Sequence, residues 1–302
     1  MLKYVLKRLG YILVTLWVIV TCTFFMMKNL PGTPFDAERF SIMTPQQQER
    51  VLEMYGLNDS LPMQYVKYIK NMLKGDLGTS FTYVNQDVSK VITGRLGPSA
   101  LIGIQAVLIG LAIGLILGIL AAWKHNSGID YFTMILAVLG VSVPNFVAAA
   151  LLQYYIGLKW GVLPVGFWTG WNCSVLPSIA LSFSATAMVA RFMRTEMLDV
   201  LDQDYIVTAR AKGLSQMKVL MRHAVRNSIL PVVTILGPIV VNLMTGSLAV
   251  ENIFSIPGIG SLFVDCIKAN DYPVIMGITI FYAAFYMLIV LLVDLAYSLI
   301  DP

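Results

Sequence analysis

Charged residues are scarce in this sequence of 302 residues, because Asp, Glu, Lys and Arg make up 13% of it, against about 25% in ordinary soluble domains. Hydrophobic types make up 57%, and the mean hydropathy is +0.74. The hydrophobic residues come in long uncharged blocks that no soluble core of this size requires. The composition therefore excludes a soluble enzyme and indicates a membrane protein.

Several kinds of functional site also lack the residues that they need. The three cysteines (Cys22, Cys173 and Cys266) are too few for a disulfide framework and lack metal-site spacing, and two histidines cannot build a histidine-rich metal centre. No run of five like charges supports a nucleic-acid surface, and no Gly-x-x-x-x-Gly-Lys-Ser/Thr loop is present to hold nucleotide phosphates. We therefore expect no catalytic residues, no metal and no cofactor in this chain.

Uncharged stretches long enough to cross a bilayer, which takes about 20 helical residues, occur six times. They cover residues 9–27, 96–123, 131–158, 160–190, 227–250 and 272–293. The fourth begins with a Gly- and Pro-rich loop, so its span starts near Val175 and continues past Arg191. The first could be a secretory signal, but its 19 uncharged residues exceed a signal core and no small-x-small cleavage site follows. The fold class predicted is an all-α integral membrane protein with six transmembrane helices.

The distribution of Lys and Arg predicts the orientation. With the N-terminus inside, the inner segments carry 11 of these residues and the outer segments 10, but eight of the 10 lie in the segment 28–95. Segments longer than about 60 residues largely escape the positive-inside rule. Without that segment the count is 11 against 2. Both termini are therefore predicted to be cytoplasmic.

The segment 28–95 is predicted to form a small helical extracytoplasmic domain between the first two spans. Thr44 and Gln47 make a capping box for one helix, and Ser60 begins a second helix that ends at Gly75. Eight basic and seven acidic residues make its surface well solvated. The domain is either a cap over the outer vestibule or a docking surface for a partner. The predicted regions are thus 1–27, 28–95 and 96–302, the last including the inner loop 191–226.

The inner loop separates its charges, with acidic residues first and basic residues after them. Asp204 is predicted to cap a short helix, which Gly213 stops in the left-handed conformation, and Ser215 caps a second helix that ends near Val225. The four-residue spacing of the bases in this second helix places them on one face. On the simplest interpretation this face binds lipid headgroups; the bases are Lys218, Arg222 and Arg226.

The inner loop also carries a recognisable motif. The stretch DYIVTARAKGLS at 204–215, followed by RHAVRN at 222–227 and Leu230-Pro231, resembles the cytoplasmic EAA loop of ABC-importer permeases, most closely the first permease subunit of oligopeptide, dipeptide and nickel importers. Val207 stands where the general pattern has an acid and Arg226 where it has Pro, and both changes are usual in the peptide branch. The remaining matches are GDLG at 75–78, PGIG at 257–260, DYP at 271–273, VDL at 293–295, the terminal DP at 301–302, and FMMKNLPGTPF at 25–35.

The resemblance implies a permease subunit that forms half of the translocation pathway for oligopeptides in a bacterial inner membrane. Its implied partners are a second related permease, two cytoplasmic ATPase subunits that bind ATP and Mg, an extracytoplasmic peptide-binding protein and the lipid bilayer. The loop 204–226 would couple the ATPases to transport. The residues implied for this coupling are Tyr205, Ala209, Arg210, Lys212, Gly213, Leu214 and Ser215.

Polar residues within the spans are candidates for the pathway lining. They are Ser142, Asn145 and Gln153 near a kink expected at Pro144, with Asn242 and Thr245 after Pro238. Interhelical hydrogen bonds would explain these residues equally well. Asp294 is the one ionisable residue inside a predicted span, and a contact at the interface or with a basic partner suits it better than a proton relay. Gly103, Gly110, Gly114 and Gly118 predict a smooth face for close helix packing.

Three other functions compete with an importer subunit. A secondary transporter usually shows two comparable halves, which are missing here. An intramembrane protease needs a serine or similar nucleophile beside a histidine within a span, whereas both histidines lie in predicted loops. A receptor or scaffold would be favoured if no ATPase co-purified. A disulfide between Cys173 and Cys266, both predicted outside, is the less favoured state of these thiols.

Overall fold

The computed structural model of the protein describes residues 2–29, 40, 42–54, 56–83 and 86–300. Helices account for most of this part of the chain, and an isolated bridge between Thr79 and Asp87 is the one strand-like pairing in it. The helices are α1 (Leu2–Lys28), α2 (Pro45–Met54), α3 (Leu61–Met72), α4 (Val88–Trp123), α5 (Gly128–Ser142), α6 (Asn145–Leu152), α7 (Val175–Leu201), α8 (Asp204–Ala211), α9 (Gln216–Lys218), α10 (Arg226–Met244), α11 (Leu248–Ile253), α12 (Ile259–Lys268) and α13 (Tyr272–Ile300).

The number of membrane spans agrees with the prediction of six once a broken helix is counted. Five helical stretches are long and apolar enough to cross a membrane. The pair α5 and α6, the latter extended by a π-helical turn, Gln153–Lys159, passes the same test together across a bend of 100°, and it makes a sixth span when its two halves are counted as one. The all-α integral membrane fold is therefore confirmed.

The third span departs from the prediction, because Pro144 breaks it and does not merely kink it. The two halves meet at 100°. Val143, with φ −81° and ψ 118°, has left the helical region, as the ring of a following proline requires, and Pro144 becomes the residue that precedes α6. The third span therefore has two separate axes.

The described residues form two compact units, and the division differs from the predicted regions. The first contains residues 1–97 and 262–285, and the second contains 98–261 and 286–302. Residues 262–285 were predicted to belong to the region 96–302. Their place in the first unit follows from Asp271, whose carboxylate accepts hydrogen bonds from Ser80 Oγ at 2.5 Å and from the backbone of Phe81 and Thr82.

Helices α2 and α3 of the first unit begin and end as the sequence predicts. The backbone N–H of Thr44 donates to Gln47 Oε1 at 2.9 Å, and that of Gln47 to Thr44 Oγ1 at 3.4 Å, which is a capping box. Ser60 precedes α3, and Gly56 and Gly75 have φ +65° and +82°. Tyr55, the residue after the end of α2, lies outside the described residues.

All three cysteines are free. Cys173 and Cys266 are buried, and burial raises the pKa of the Cys266 thiol to about 12. Cys266 therefore stays protonated at neutral pH, when a thiol is a poor nucleophile.

The second unit is built around α7. In the stretch that contains it, Trp171–Leu201, 67% of the apolar window is buried, against 33% or less for the other unbroken spans. Its buried side chains include Leu176, Leu181, Met193 and Met197, which belong to the hydrophobic core of this unit. Helices α5 and α10 pack on it.

The glycines of α4 allow that helix to approach α7 closely, as their spacing predicts. A Cβ added at Gly110 would lie 2.7 Å from Ala185 Cβ, and one at Gly114 would lie 2.7 Å from Val189 Cβ and 2.8 Å from the Thr186 carbonyl. Gly118 faces the Ala190 carbonyl in the same way. A larger residue at these positions forces the two helices apart.

Gly114→Val should therefore lower the free energy of unfolding of the purified protein in detergent by about 1–3 kcal/mol, the usual cost of overpacking a core. Its melting temperature should fall accordingly. Gly97→Val in the same helix is the matched control, since nothing lies within 4 Å of the position its Cβ would occupy. Equal melting temperatures for the two variants would contradict the close packing described here.

Candidate functional site

The turn at Gly213 has the geometry of a Schellman motif at the end of α8. The N–H of Gly213 donates to the Arg210 carbonyl at 2.9 Å, and the N–H of Leu214 donates to the Ala209 carbonyl at 3.4 Å. Gly213 has φ +79°, a conformation that glycine adopts without steric cost. The predicted left-handed stop of this helix is therefore present.

A small apolar cluster holds the two sides of this turn together. Ile206, Ala209 and Val219 are buried in it, and Leu214 packs against them. The contact of Leu214 with the last turn of the helix is the hydrophobic contact that usually accompanies a Schellman motif. Ala209 of α8 thus shares this cluster with Val219 of the chain that follows.

The other candidate coupling side chains are exposed around this cluster. Tyr205, Arg210, Lys212 and Ser215 are exposed. Apolar side chains share this exposure, with Val207 at 58% and Met217 at 51%. The segment therefore presents apolar side chains among basic ones, a composition suited to a protein partner.

Two details of this segment differ from the prediction. Gln203, not Asp204, precedes α8, and Asp204 is the first residue of the helix. The second helix does not end near Val225, because α9 continues through a π-helical turn, Val219–Val225, into α10. The Gly213 turn is thus joined directly to a membrane span. Lys218, Arg222 and Arg226 are all exposed along this junction.

Hydrogen bonds connect the segment to the spans on both sides of it. Asn227 Nδ2 donates to the Tyr205 hydroxyl at 2.9 Å, which ties α8 to the start of α10. Ser228 Oγ donates to the Glu196 carbonyl at 3.3 Å, which ties α10 to α7. A displacement of α8 would therefore also displace the start of α10 and the C-terminal part of α7.

The candidate pathway residues lie at two places in the second unit. Ser142 and Asn145 flank the break between α5 and α6, the first exposed and the second half-buried. Asn242 is exposed near the end of α10, and Thr245 Oγ1 donates to the Val241 carbonyl one turn before it. The hydroxyl of Thr245 thus serves its own helix, as such hydroxyls commonly do.

Gln153 takes part in a hydrogen-bond network. Its Nε2 donates to the carbonyl oxygens of Val165, at 2.5 Å, and Ile253, at 2.7 Å. These bonds join the π-helical turn after α6 to the loop that follows it and to α11. The geometry favours the interhelical explanation for Gln153, so its place in the pathway lining stays a prediction.

Glu251 is a buried acid that the sequence reasoning missed. It is fully buried, its Oε1 accepts from Ser99 Oγ at 2.7 Å, and its Oε2 accepts from the backbone N–H of Ser261 at 2.8 Å. Ser99 Oγ in turn accepts from the Ile259 N–H at 2.8 Å. The carboxylate therefore satisfies the free N–H groups at the start of α12.

The glycines around Glu251 explain part of the PGIG motif. A side chain at Gly246 or Gly258 would collide with the Glu251 carboxylate, and a Cβ at Gly260 would lie 2.9 Å from the Leu248 backbone N and 3.0 Å from Glu251 Oε2. The acid follows directly on the uncharged stretch that ends at Val250, and glycines lie close to it in the sequence on both sides. That combination was the signal available in the sequence.

Some residues of the resemblance cannot be placed. Residues 30–35 of the 25–35 motif and the terminal residues 301 and 302 lie outside the described residues. Asp294 lies in α13 and is half-buried.

Glu251→Ala should destabilise the second unit, because it leaves the Ser99 hydroxyl and the Ser261 N–H buried without their acceptor, at a cost of about 1–3 kcal/mol. Glu251→Gln keeps the shape and one acceptor oxygen and should fall between this variant and the parent protein. Asp265→Ala, at an exposed acid, is the control. A melting temperature for Glu251→Ala equal to that of the control would show that the carboxylate does not anchor this loop.

Comparison with known proteins identifies the family. Residues 114–302 match the family described as "Binding-protein-dependent transport system inner membrane component", and residues 1–96 match the corresponding N-terminal family. A dipeptide transport system permease of Lactococcus lactis is 46% identical over 302 residues, covering 100% of this chain and 99% of that protein. The dipeptide permease of Bacillus subtilis is 42% identical, covering 100% and 97%. The oligopeptide permease of Salmonella typhimurium is 39% identical, covering 100% and 99%.

A solved structure supports the fold independently. The crystal structure of an amino acid ABC transporter with histidines aligns with 70% of this chain and 94% of its own, at a TM-score of 0.52 and 19% identity. At that identity the likeness concerns the fold alone. The family match over residues 114–302 and the full-length relatives show that this chain belongs to the inner membrane permeases of binding-protein-dependent ABC transport systems.

Proposed function

We propose that the chain is one of two related permease subunits that together form the translocation pathway of an ATP-driven peptide importer. The observation that carries this proposal is the full-length similarity to dipeptide and oligopeptide permeases. The dipeptide permeases share more identity with the chain than the oligopeptide permease does, so peptide length is open to test. Competition of labelled peptide uptake by unlabelled peptides of two to six residues distinguishes the two substrates.

The partners follow from the same assignment. Two ATPase subunits hold ATP and Mg on the cytoplasmic side, and a peptide-binding protein delivers substrate from outside. The 204–226 segment receives the ATPases, because it is the large inner loop of the charge-based topology and presents apolar and basic side chains together. Its buried cluster and capped turn give it the fixed shape that a docking element needs.

Substitution of Gly213 tests this coupling. Gly213→Val forces a β-branched residue to a positive φ, at about 1–3 kcal/mol, and should misdirect α8. In proteoliposomes with the complete complex, we expect peptide uptake to collapse, together with either loss of the ATPases or loss of the stimulation of ATP hydrolysis by the loaded binding protein.

The control is Gly213→Asn, because Asn tolerates the left-handed conformation and nothing lies within 4 Å of the new Cβ. This variant should keep most of the uptake. If the Gly213→Val complex, at normal expression, imports peptide at the wild-type rate and the loaded binding protein stimulates its ATP hydrolysis normally, the segment does not couple ATP hydrolysis to transport.

Cysteine labelling tests the orientation. In a variant without the three native cysteines, Asn58→Cys should react with a membrane-impermeant maleimide in intact cells, and Gln216→Cys should react only after the membrane is opened. The reverse pattern would overturn the assignment of both termini to the cytoplasm.

A further inference from the structure

An ion pair joins the start of α5 to the end of α7. Arg194 Nε donates to Asp130 Oδ1 at 2.6 Å, and Arg194 Nη2 donates to Asp130 Oδ2 at 2.7 Å. The two bonds form the bidentate geometry that makes Arg–carboxylate pairs both strong and directional. Only 2% of the Asp130 side chain and 20% of the Arg194 side chain are exposed.

The surroundings of Asp130 hold its carboxylate in place. The backbone N–H of Asn126 donates to Oδ2 at 3.0 Å, from the turn that precedes α5. His125 Nδ1 lies 3.2 Å from the same oxygen and 3.2 Å from Arg194 Nη2. The pair therefore joins α7 to both the turn and the first residues of α5.

A second contact joins α5 to α7 near the other end of α5. A Cβ at Gly140 would lie 3.0 Å from Ala187 Cβ and 3.0 Å from the Phe183 carbonyl, so the two helices touch there. Helix α5 therefore packs along α7, with the ion pair at its start and this close approach near its end. Of the two contacts, the ion pair lies nearer to the 204–226 segment, which begins three residues after α7 ends at Leu201.

The other end of α5 is the break at Pro144. Asn145 follows it, and α6 and its π-helical turn lead to Gln153 with its bonds to Val165 and Ile253. A motion of α5 would consequently change the angle at the break and move the residues proposed to line the pathway. The fixed links thus run from the 204–226 segment through α7 and the ion pair to α5.

We propose that Asp130 and Arg194 are positioning residues that transmit the displacement of the 204–226 segment to α5, so that ATP hydrolysis changes the broken third span. This proposal rests on the proposed function, since it requires that segment to receive the ATPases. It goes further in assigning the mechanical connection to one charged pair outside the segment.

The variants are Asp130→Asn and Arg194→Gln, each of which removes the charge of one partner. Arg194→Lys keeps the positive charge, but a lysine cannot form the bidentate pair. Arg191→Gln is the matched control, because Arg191 is exposed on the same helix, three residues before Arg194. Each variant is purified as the complete complex and reconstituted in proteoliposomes with the binding protein.

The measurements are peptide uptake, the rate of ATP hydrolysis and the subunit ratio of the complex. We expect Asp130→Asn and Arg194→Gln to keep the ATPases bound and to hydrolyse ATP, while the number of peptides transported per ATP falls roughly tenfold or more, a loss that kinetics resolve readily. Arg194→Lys should lie between these variants and the wild type, and Arg191→Gln should match the wild type.

A purely structural role would lower uptake and hydrolysis together, in proportion to the amount of complex that survives. Asp130→Asn and Arg194→Gln complexes with the wild-type ratio of peptide to ATP would therefore overturn the proposal. The wild-type complex in the same experiment separates this failure from that of the proposed function. If the wild type imports no peptide, it is the proposed function that fails.

Discussion

The close approach of α4 to α7 is the contact on which the rest of the second unit depends. Three glycines, at 110, 114 and 118, let the α4 backbone lie against the side chains and carbonyls of α7. In a bilayer, where lipid is as apolar as the helices, such close packing replaces the hydrophobic effect as the source of helix association. With α4 on one side, α7 is the most buried of the unbroken spans, and α5 and α10 pack against it.

Buried and half-buried polar groups in the second unit lie at the places where helices end or break. Glu251 satisfies the N–H groups at the start of α12, and Gln153 satisfies carbonyls on two other segments. Asp130 serves both the turn before α5 and the guanidinium of Arg194. Buried irregular backbone needs partners of this kind, because unpaired N–H and C=O groups are costly away from water. These anchors leave the 204–226 segment as an exposed extension of well-fixed helices.

Local features of the fold could be predicted from the sequence. The capping box at Thr44, the left-handed Gly213 and the packing face of α4 all depend on residues a few positions apart. The sequence predicted a kink at Pro144, whereas the two helices meet at 100°. A proline indicates that a helix is disturbed, but it does not give the angle of the bend. The π-helical continuation from α9 into α10 has no sequence signal of its own. The prediction that the second helix of the segment ends near Val225 was therefore wrong.

The contacts that were missed join residues far apart in the sequence. Asp130 and Arg194 are separated by 64 positions, and Ser99 and Glu251 by 152. Each acid lies just outside or at the edge of an uncharged stretch, where a sequence pattern indicates a loop charge facing water. Only the packing of the helices shows that both are buried. The place of residues 262–285 in the first unit also involves a contact between distant residues, since Asp271 and Ser80 are 191 positions apart.

The central claim is that a rigid, capped segment after α7 receives the ATPases. Hydrogen–deuterium exchange of the permease complex, with and without the ATPase subunits, tests it most directly. The account predicts that backbone amides in 204–215 become more protected when the ATPases bind, while those in 45–72 of the first unit do not change. Formation of the complex with no change in exchange at 204–215 would contradict it.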